Sequence, residues 1–136
     1  MIEGLEYIEV VKSFYSFLES EFDFRKVNEV INGNAFYDVE YRDPDRIISI
    51  SYENIEDYLQ VIVFKLKNGK MPDYDDKTRT LHLKQLNRLV MTKASKSEIN
   101  SNAEYFSQYN VKNELERKLL KEAKELRLCL KHFNEL

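Results

Sequence analysis

The stretch from Phe24 to Leu66 constrains the fold most, because its apolar and polar residues alternate and two turn sequences interrupt it. The first turn is Asn32-Gly33, a pair that accepts the positive φ angles of a two-residue type I′ hairpin. Such a loop pairs Val30 with Ala35. By extension, it pairs Asn28, Lys26 and Phe24 with Tyr37, Val39 and Tyr41, respectively.

The second turn, Asp43-Pro44-Asp45-Arg46, has the Asp and the Pro typical of a type I turn. It pairs Tyr41 with Ile48. Both turns place the same residues on one face. Because a slip of one residue would turn these side chains to water, this agreement supports the register. The predicted buried face consists of Tyr37, Val39, Tyr41, Ile48, Ile50 and Tyr52. The predicted solvent-facing side consists of Arg25, Asp38, Glu40, Arg42, Ser49 and Ser51.

A fourth strand is predicted from Tyr58 to Leu66, with apolar residues on both of its sides. The loop from Glu53 to Asp57 leaves its register open. The four strands together predict an antiparallel meander.

Helices are predicted before and after this meander in the chain. Apolar residues at helical spacing predict one helix over residues 3–21. After a loop from Lys67 to Lys77, three helices are predicted, the first capped by Thr78 or Thr80. The second begins with a Ser95/Glu98 capping box, and the third runs from about Asn113 to Phe133. We therefore expect a single α+β domain over residues 1–136, with one helix before the four strands and three after them.

Composition narrows the class of protein. A single Cys excludes an internal disulfide framework, so we expect a reducing cytoplasm, and we expect no signal peptide and no membrane span. The net charge of -3 disfavours general nucleic-acid binding, although residues 77–136 carry 13 basic and 7 acidic side chains.

Acidic side chains are the best candidates for a binding site. Asp38 and Glu40 share one strand face, and Asp43 and Asp45 lie in the following turn. A second group, Asp73, Asp75 and Asp76, crowds one loop, but it lacks the Gly and the distal Glu of a calcium loop. We expect these seven residues to bind a protein partner, with charge steering the association. The structural alternative is a cross-strand ion pair between Arg25 and Glu40.

Motifs for catalysis or cofactor binding are weaker candidates than these acidic side chains. His82 is expected to flank a helix start and His132 to end a helix, and neither has metal-ligand spacing. Cys129 has only His132 nearby, so we interpret it as an ordinary helical cysteine. We expect no catalytic residue, no metal site and no cofactor.

The order of elements resembles the small bacterial immunity proteins of polymorphic toxin systems. The segments that carry the resemblance are Leu18-Glu19-Ser20-Glu21-Phe22-Asp23-Phe24, Asp38-Val39-Glu40-Tyr41, Ile48-Ser49-Ile50-Ser51-Tyr52 and the long charged C-terminal helix. The resemblance implies a non-enzymatic inhibitor that binds one cognate toxin, often through an acidic surface, and we expect that partner to be a basic toxin. Two alternatives remain. One is a divalent-metal-dependent hydrolase or nuclease that uses the acidic loops. The other is a structural subunit or homodimer that uses a strand edge or the last helix.

Overall fold

The computed structural model describes residues 2–136, which form five α-helices and one five-stranded antiparallel sheet. The helices are α1 (Gly4–Phe14), α2 (Phe17–Ser20), α3 (Leu83–Val90), α4 (Lys96–Phe106) and α5 (Glu114–Lys131). The strands are β1 (Arg25–Asn32), β2 (Phe36–Arg42), β3 (Arg46–Glu53), β4 (Tyr58–Lys65) and β5 (Thr80–His82). A short 3₁₀ turn, Phe133–Glu135, follows α5. The α+β class and the antiparallel sheet are as predicted.

The chain forms two compact units. The first ends at His82 and contains α1, α2 and the sheet, whereas the second is Leu83–Leu136 and contains α3, α4 and α5. In the described part of the chain, no helix is both long enough and apolar enough to cross a membrane.

The sheet has one strand more than predicted. Its strands follow chain order, from β1 at one edge to β5 at the other. In β5, His82 pairs with Ile62 and Thr80 with Phe64, so Thr80 is a strand residue and not a helix cap. The Thr80 hydroxyl donates instead to the Asp73 carbonyl oxygen at 3.0 Å. A strand of three residues is too short to show alternation, which explains why the sequence did not reveal it.

The predicted pairing between β2 and β3 is confirmed. Tyr41 pairs with Ile48 and Tyr37 with Tyr52, and the face that they share is buried. α1 packs on this face through Tyr7, whose hydroxyl donates to the Ile50 carbonyl oxygen at 2.9 Å. Because the Tyr7 ring also contacts the rings of Tyr37 and Tyr52, one buried tyrosine joins the helix to two strands.

The predicted pairing between β1 and β2 is wrong. Asn32 pairs with Phe36 across a three-residue loop, in which Gly33 has a positive φ of 55°. Asn54 holds this loop from outside the hairpin. Its backbone N–H donates to the Ala35 carbonyl oxygen at 2.8 Å and its side-chain amide to the Asn34 carbonyl oxygen at 3.0 Å. These long-range hydrogen bonds explain why the local turn preference does not decide the register.

β1 also contains a bulge. Asn28 pairs with Glu40, but Lys26 pairs with Tyr41, so Val27 is an additional residue in the ladder. The bulge sets Arg25 opposite Arg42. The cross-strand pair of Arg25 and Glu40, given above as the structural alternative, is therefore wrong.

The helices differ from the prediction mainly at the N-terminus. The predicted helix over residues 3–21 is interrupted at Tyr15 and Ser16, which gives α1 and α2. In the second unit, the Ser95/Glu98 capping box is confirmed at the start of α4. The side chain of Asn113 accepts from the Glu116 backbone N–H and caps α5. The apolar face of α5 is buried at Leu119, Ala123, Leu126 and Leu130.

Candidate functional site

One side of the sheet lies opposite Tyr37 and Tyr41, and we call it the polar face. Because strand residues alternate between faces, the observed register assigns positions from all five strands to it. Seven of its polar members form a strip across the sheet: Asn28, Asp38, Glu40, Ser49, Ser51, Gln60 and His82.

Asp38 lies on the predicted face, but it is only 9% exposed. Its Oδ1 accepts a hydrogen bond from the Ser49 hydroxyl at 2.7 Å. Burial, with a smaller effect from the negative charge of Glu40, raises the pKa of Asp38 to about 6, against the lowering effect of the Ser49 hydrogen bond. Asp38 therefore serves the packing of the strip more than it offers a surface charge.

Glu40 is half-buried beside Asp38, and its Oε1 accepts from the Asn28 side-chain amide at 3.2 Å. Asn28 is exposed at the edge strand, so this end of the strip is open to solvent. Of the two strand carboxylates, Glu40 is the one that a partner can reach.

Exposed tyrosines border the other end of the strip. Tyr58 is 50% exposed and lies two residues from Gln60 on β4, so the two side chains share the polar face. Tyr74 is 57% exposed, and the amide of Gln60 donates to its hydroxyl at 3.3 Å. The rings of Tyr74 and His82 meet edge to face with centroids 6.1 Å apart. These contacts bring the loop before β5 against the polar face.

Carboxylates flank these tyrosines. Glu53 is the strand partner of Tyr58, and Asp73 and Asp75 adjoin Tyr74 in the chain; all three are exposed. We group these residues with Gln60, and with Glu40 from the opposite end of the strip, as the acidic–aromatic surface: Glu40, Glu53, Tyr58, Gln60, Asp73, Tyr74 and Asp75. It combines aromatic contact area with negative charge.

The remaining predicted residues have structural partners or lie elsewhere. Asp43 accepts from the backbone N–H groups of Asp45 and Arg46 and from the Arg46 guanidinium, at 2.6–3.0 Å. Asp45 is exposed in the same turn. Asp76 accepts from the Thr78 hydroxyl at 2.6 Å, and that hydrogen bond lowers the Asp76 pKa. Asp43 and Asp76 thus shape their own turns.

No cluster of His, Cys, Asp and Glu side chains within residues 2–136 has the arrangement of a metal site. Cys129 is fully buried in α5, and burial raises its thiol pKa to about 12. His132 follows α5, as expected. Both of its ring nitrogens contact carboxylates, Nε2 at 2.6 Å from Glu98 and Nδ1 at 2.7 Å from Glu135. The His132 ring is therefore engaged with carboxylates. The Cys129 thiol stays neutral because it is buried.

Sequence reasoning missed Tyr58, Gln60, Tyr74 and His82. A signal for the first two was present, because Tyr58 and Gln60 are polar at alternate positions at the start of a mostly apolar strand. For Tyr74 and His82 there was none, since their placement depends on β5.

The comparisons with known proteins add no relative. No protein-family model, no curated protein and no solved structure matches this chain.

Proposed function

We propose that the first unit is a protein-binding module whose acidic–aromatic surface captures a basic protein, and that this partner is a toxin which the chain neutralises. The observation that carries the proposal is a pair of half-exposed tyrosines near Gln60: Tyr58 shares its strand face, and Tyr74 accepts its hydrogen bond. Tyrosine is enriched at binding hot spots because it gives a large contact area at a small cost in conformational entropy.

Charge supports a basic partner. Residues 1–82 carry 17 acidic and 10 basic side chains, and the tyrosines are flanked by Glu53, Asp73 and Asp75. An acidic surface attracts a basic partner during diffusion and speeds association, most of all at low ionic strength. The toxin as partner rests on the resemblance of the predicted order of elements to that of immunity proteins.

The test uses the protein encoded beside the gene for this chain, since an immunity protein is expected next to its toxin. Its affinity for the wild type is measured by calorimetry and compared with that of the Tyr58→Ala/Tyr74→Ala double variant. We expect a dissociation constant at least about tenfold higher for the variant, because truncation of a hot-spot tyrosine costs about 2 kcal/mol. In growth assays, the variant should protect cells less well from the toxin.

Leu5→Ala is the matched control, because Leu5 is 74% exposed on α1, which packs on the other side of the sheet. It should bind as the wild type does. Glu40→Lys and Asp75→Lys should slow association at low salt and matter less at high salt. Absence of binding to the neighbouring protein, or equal affinity of the double variant and the wild type, would refute the proposal.

A further inference from the structure

A cavity of about 310 Å³ lies at the end of the sheet where β1 begins and β2 ends. Its walls are formed by Asp23, Arg25, Arg42, Asp43 and Pro44. The volume is within the usual range for small-molecule sites. These residues are distinct from the acidic–aromatic surface.

Two arginines face each other at this cavity. Arg25 and Arg42 are the last cross-strand pair of β1 and β2. Like charges that lie directly opposite one another destabilise a sheet. In the part of the chain that the structure describes, neither guanidinium takes part in an ion pair. An anion bound between two such positive charges would relieve their mutual repulsion.

The carboxylates of the cavity do not neutralise both arginines. Asp43 already accepts four hydrogen bonds from its own turn and from the Arg46 side chain. Asp23 is exposed at the cavity wall. With Asp43 matched to Arg46, two guanidinium charges stand against the single charge of Asp23.

The loop that follows β4 adds further positive charge nearby. A terminal nitrogen of Arg42 donates to the Gly69 carbonyl oxygen at 3.0 Å. Gly69 lies between Lys67 and Lys70, whose backbones form a β-bridge and whose side chains are exposed. The hydrogen bond to a neutral carbonyl orients Arg42 and leaves its other N–H groups available, because a guanidinium has five.

We propose that this cavity binds the oxyanion of a small ligand, a phosphoryl or a carboxylate group, between the guanidinium groups of Arg25 and Arg42. The planar guanidinium donates two parallel hydrogen bonds to such groups, and charge-assisted hydrogen bonds are the stronger kind. Lys67 and Lys70 raise the local concentration of the anion.

Inorganic phosphate and citrate are the probes, each titrated at constant ionic strength with sodium chloride as the reference. Melting temperature and calorimetric affinity are measured for the wild type and for Arg25→Gln/Arg42→Gln. We expect a saturable rise in melting temperature with one or both oxyanions in the wild type. The double variant should bind at least about tenfold more weakly, since it loses the charge-assisted hydrogen bonds of both guanidinium groups.

Arg88→Gln is the control, because Arg88 is an exposed arginine of α3 and does not line the cavity. It should respond to the oxyanions as the wild type does. Arg25→Gln alone should melt in chloride no lower than the wild type, since it removes the like-charge contact. A response to phosphate alone assigns the site to phosphoryl groups, and a response to citrate alone to carboxylates. No saturable response to either probe, or an equal response in the double variant, would overturn the proposal.

Discussion

The Ser49 hydroxyl on β3 donates a hydrogen bond of 2.7 Å to Oδ1 of Asp38 on β2, and both side chains are less than one-tenth exposed. The hydrogen bond favours the ionised carboxylate, whereas burial and Glu40 favour the protonated form, and the pKa of about 6 shows which effect is larger. Asp38 consequently binds a proton more tightly in the folded chain than in the unfolded one.

The stability of the sheet should therefore depend on pH in a defined direction. Between pH 3.8, the ordinary pKa of Asp, and about 6, the folded state binds more protons, so the free energy of unfolding should fall as the pH rises. Through Asp38, the free energy of unfolding should fall by about 3 kcal/mol at most. This fall is complete once the pH exceeds the pKa of Asp38 in the folded state, about 6.

Asp38→Asn should remove that dependence. Asn resembles the protonated acid and can still accept from Ser49, so we expect about 1–2 kcal/mol of stabilisation at pH 7.5 and little change at pH 4. Urea unfolding followed by circular dichroism at both values measures the effect. Asp45→Asn, in an exposed position, is the control. Equal destabilisation by Asp38→Asn at both pH values would contradict the expectation.

Tyr41→Phe should leave stability unchanged or raise it by up to about 1 kcal/mol, because a buried donor without a partner is costly. The Tyr41 hydroxyl is the one buried side-chain polar atom without a hydrogen bond among the described residues. Tyr37→Phe is the matched comparison. Its hydroxyl donates to the Ile2 carbonyl oxygen at 2.8 Å and accepts from Asn54 at 3.1 Å, so we expect a loss of about 1–2 kcal/mol. A similar loss in both variants in urea unfolding would count against this assignment.

Glu98→Gln should lower the pKa of His132. The hydrogen bonds from the His132 ring to Glu98 and Glu135 raise that pKa above its ordinary 6.5. The stabilisation by the charged ring is therefore complete below pH 6.5 and is lost as the pH rises through the higher, folded-state value. Gln keeps the capping box but removes the charge. An NMR titration of the ring measures the shift, with Glu104→Gln as the control, and an unchanged His132 pKa would show that Glu98 is not responsible.

Asn102→Ala should destabilise the second unit by about 1–3 kcal/mol, because a buried amide links α4 to α5. Its nitrogen donates to the Lys124 carbonyl oxygen at 2.9 Å, and its oxygen accepts from Arg127 at 2.8 Å. Asn100→Ala, on the exposed side of the same helix, should change little. Thermal unfolding compares the two variants, and equal melting temperatures would refute the role of Asn102.

The sequence predicted those features that local chemistry decides. Asp43 forms its turn with its own side chain, so the pairing of Tyr41 with Ile48 could be read from the chain. The Ser95 capping box is likewise local. The loop at Gly33 is not, because Asn54, distant in sequence, holds it.

The candidate site depended on such long-range contacts even more. Asp38 is buried and accepts its hydrogen bond from Ser49 on another strand, and Tyr74 reaches Gln60 only because β5 adds to the sheet. Alternation indicates which face a residue shares, but it does not indicate how deeply that face is covered.

The bulge at Val27 determines which positive side chain borders the cavity. Had β1 stayed regular, Lys26 would stand opposite Arg42, and Arg25 would turn towards the side of Tyr41. Deletion of Val27 would straighten the ladder and still leave Arg25 beside Arg42, whereas an insertion after Arg25 would exchange the arginine for the new residue. A change in strand length between Arg25 and the bulge would thus replace a cavity residue. Removal of the bulge residue itself would not.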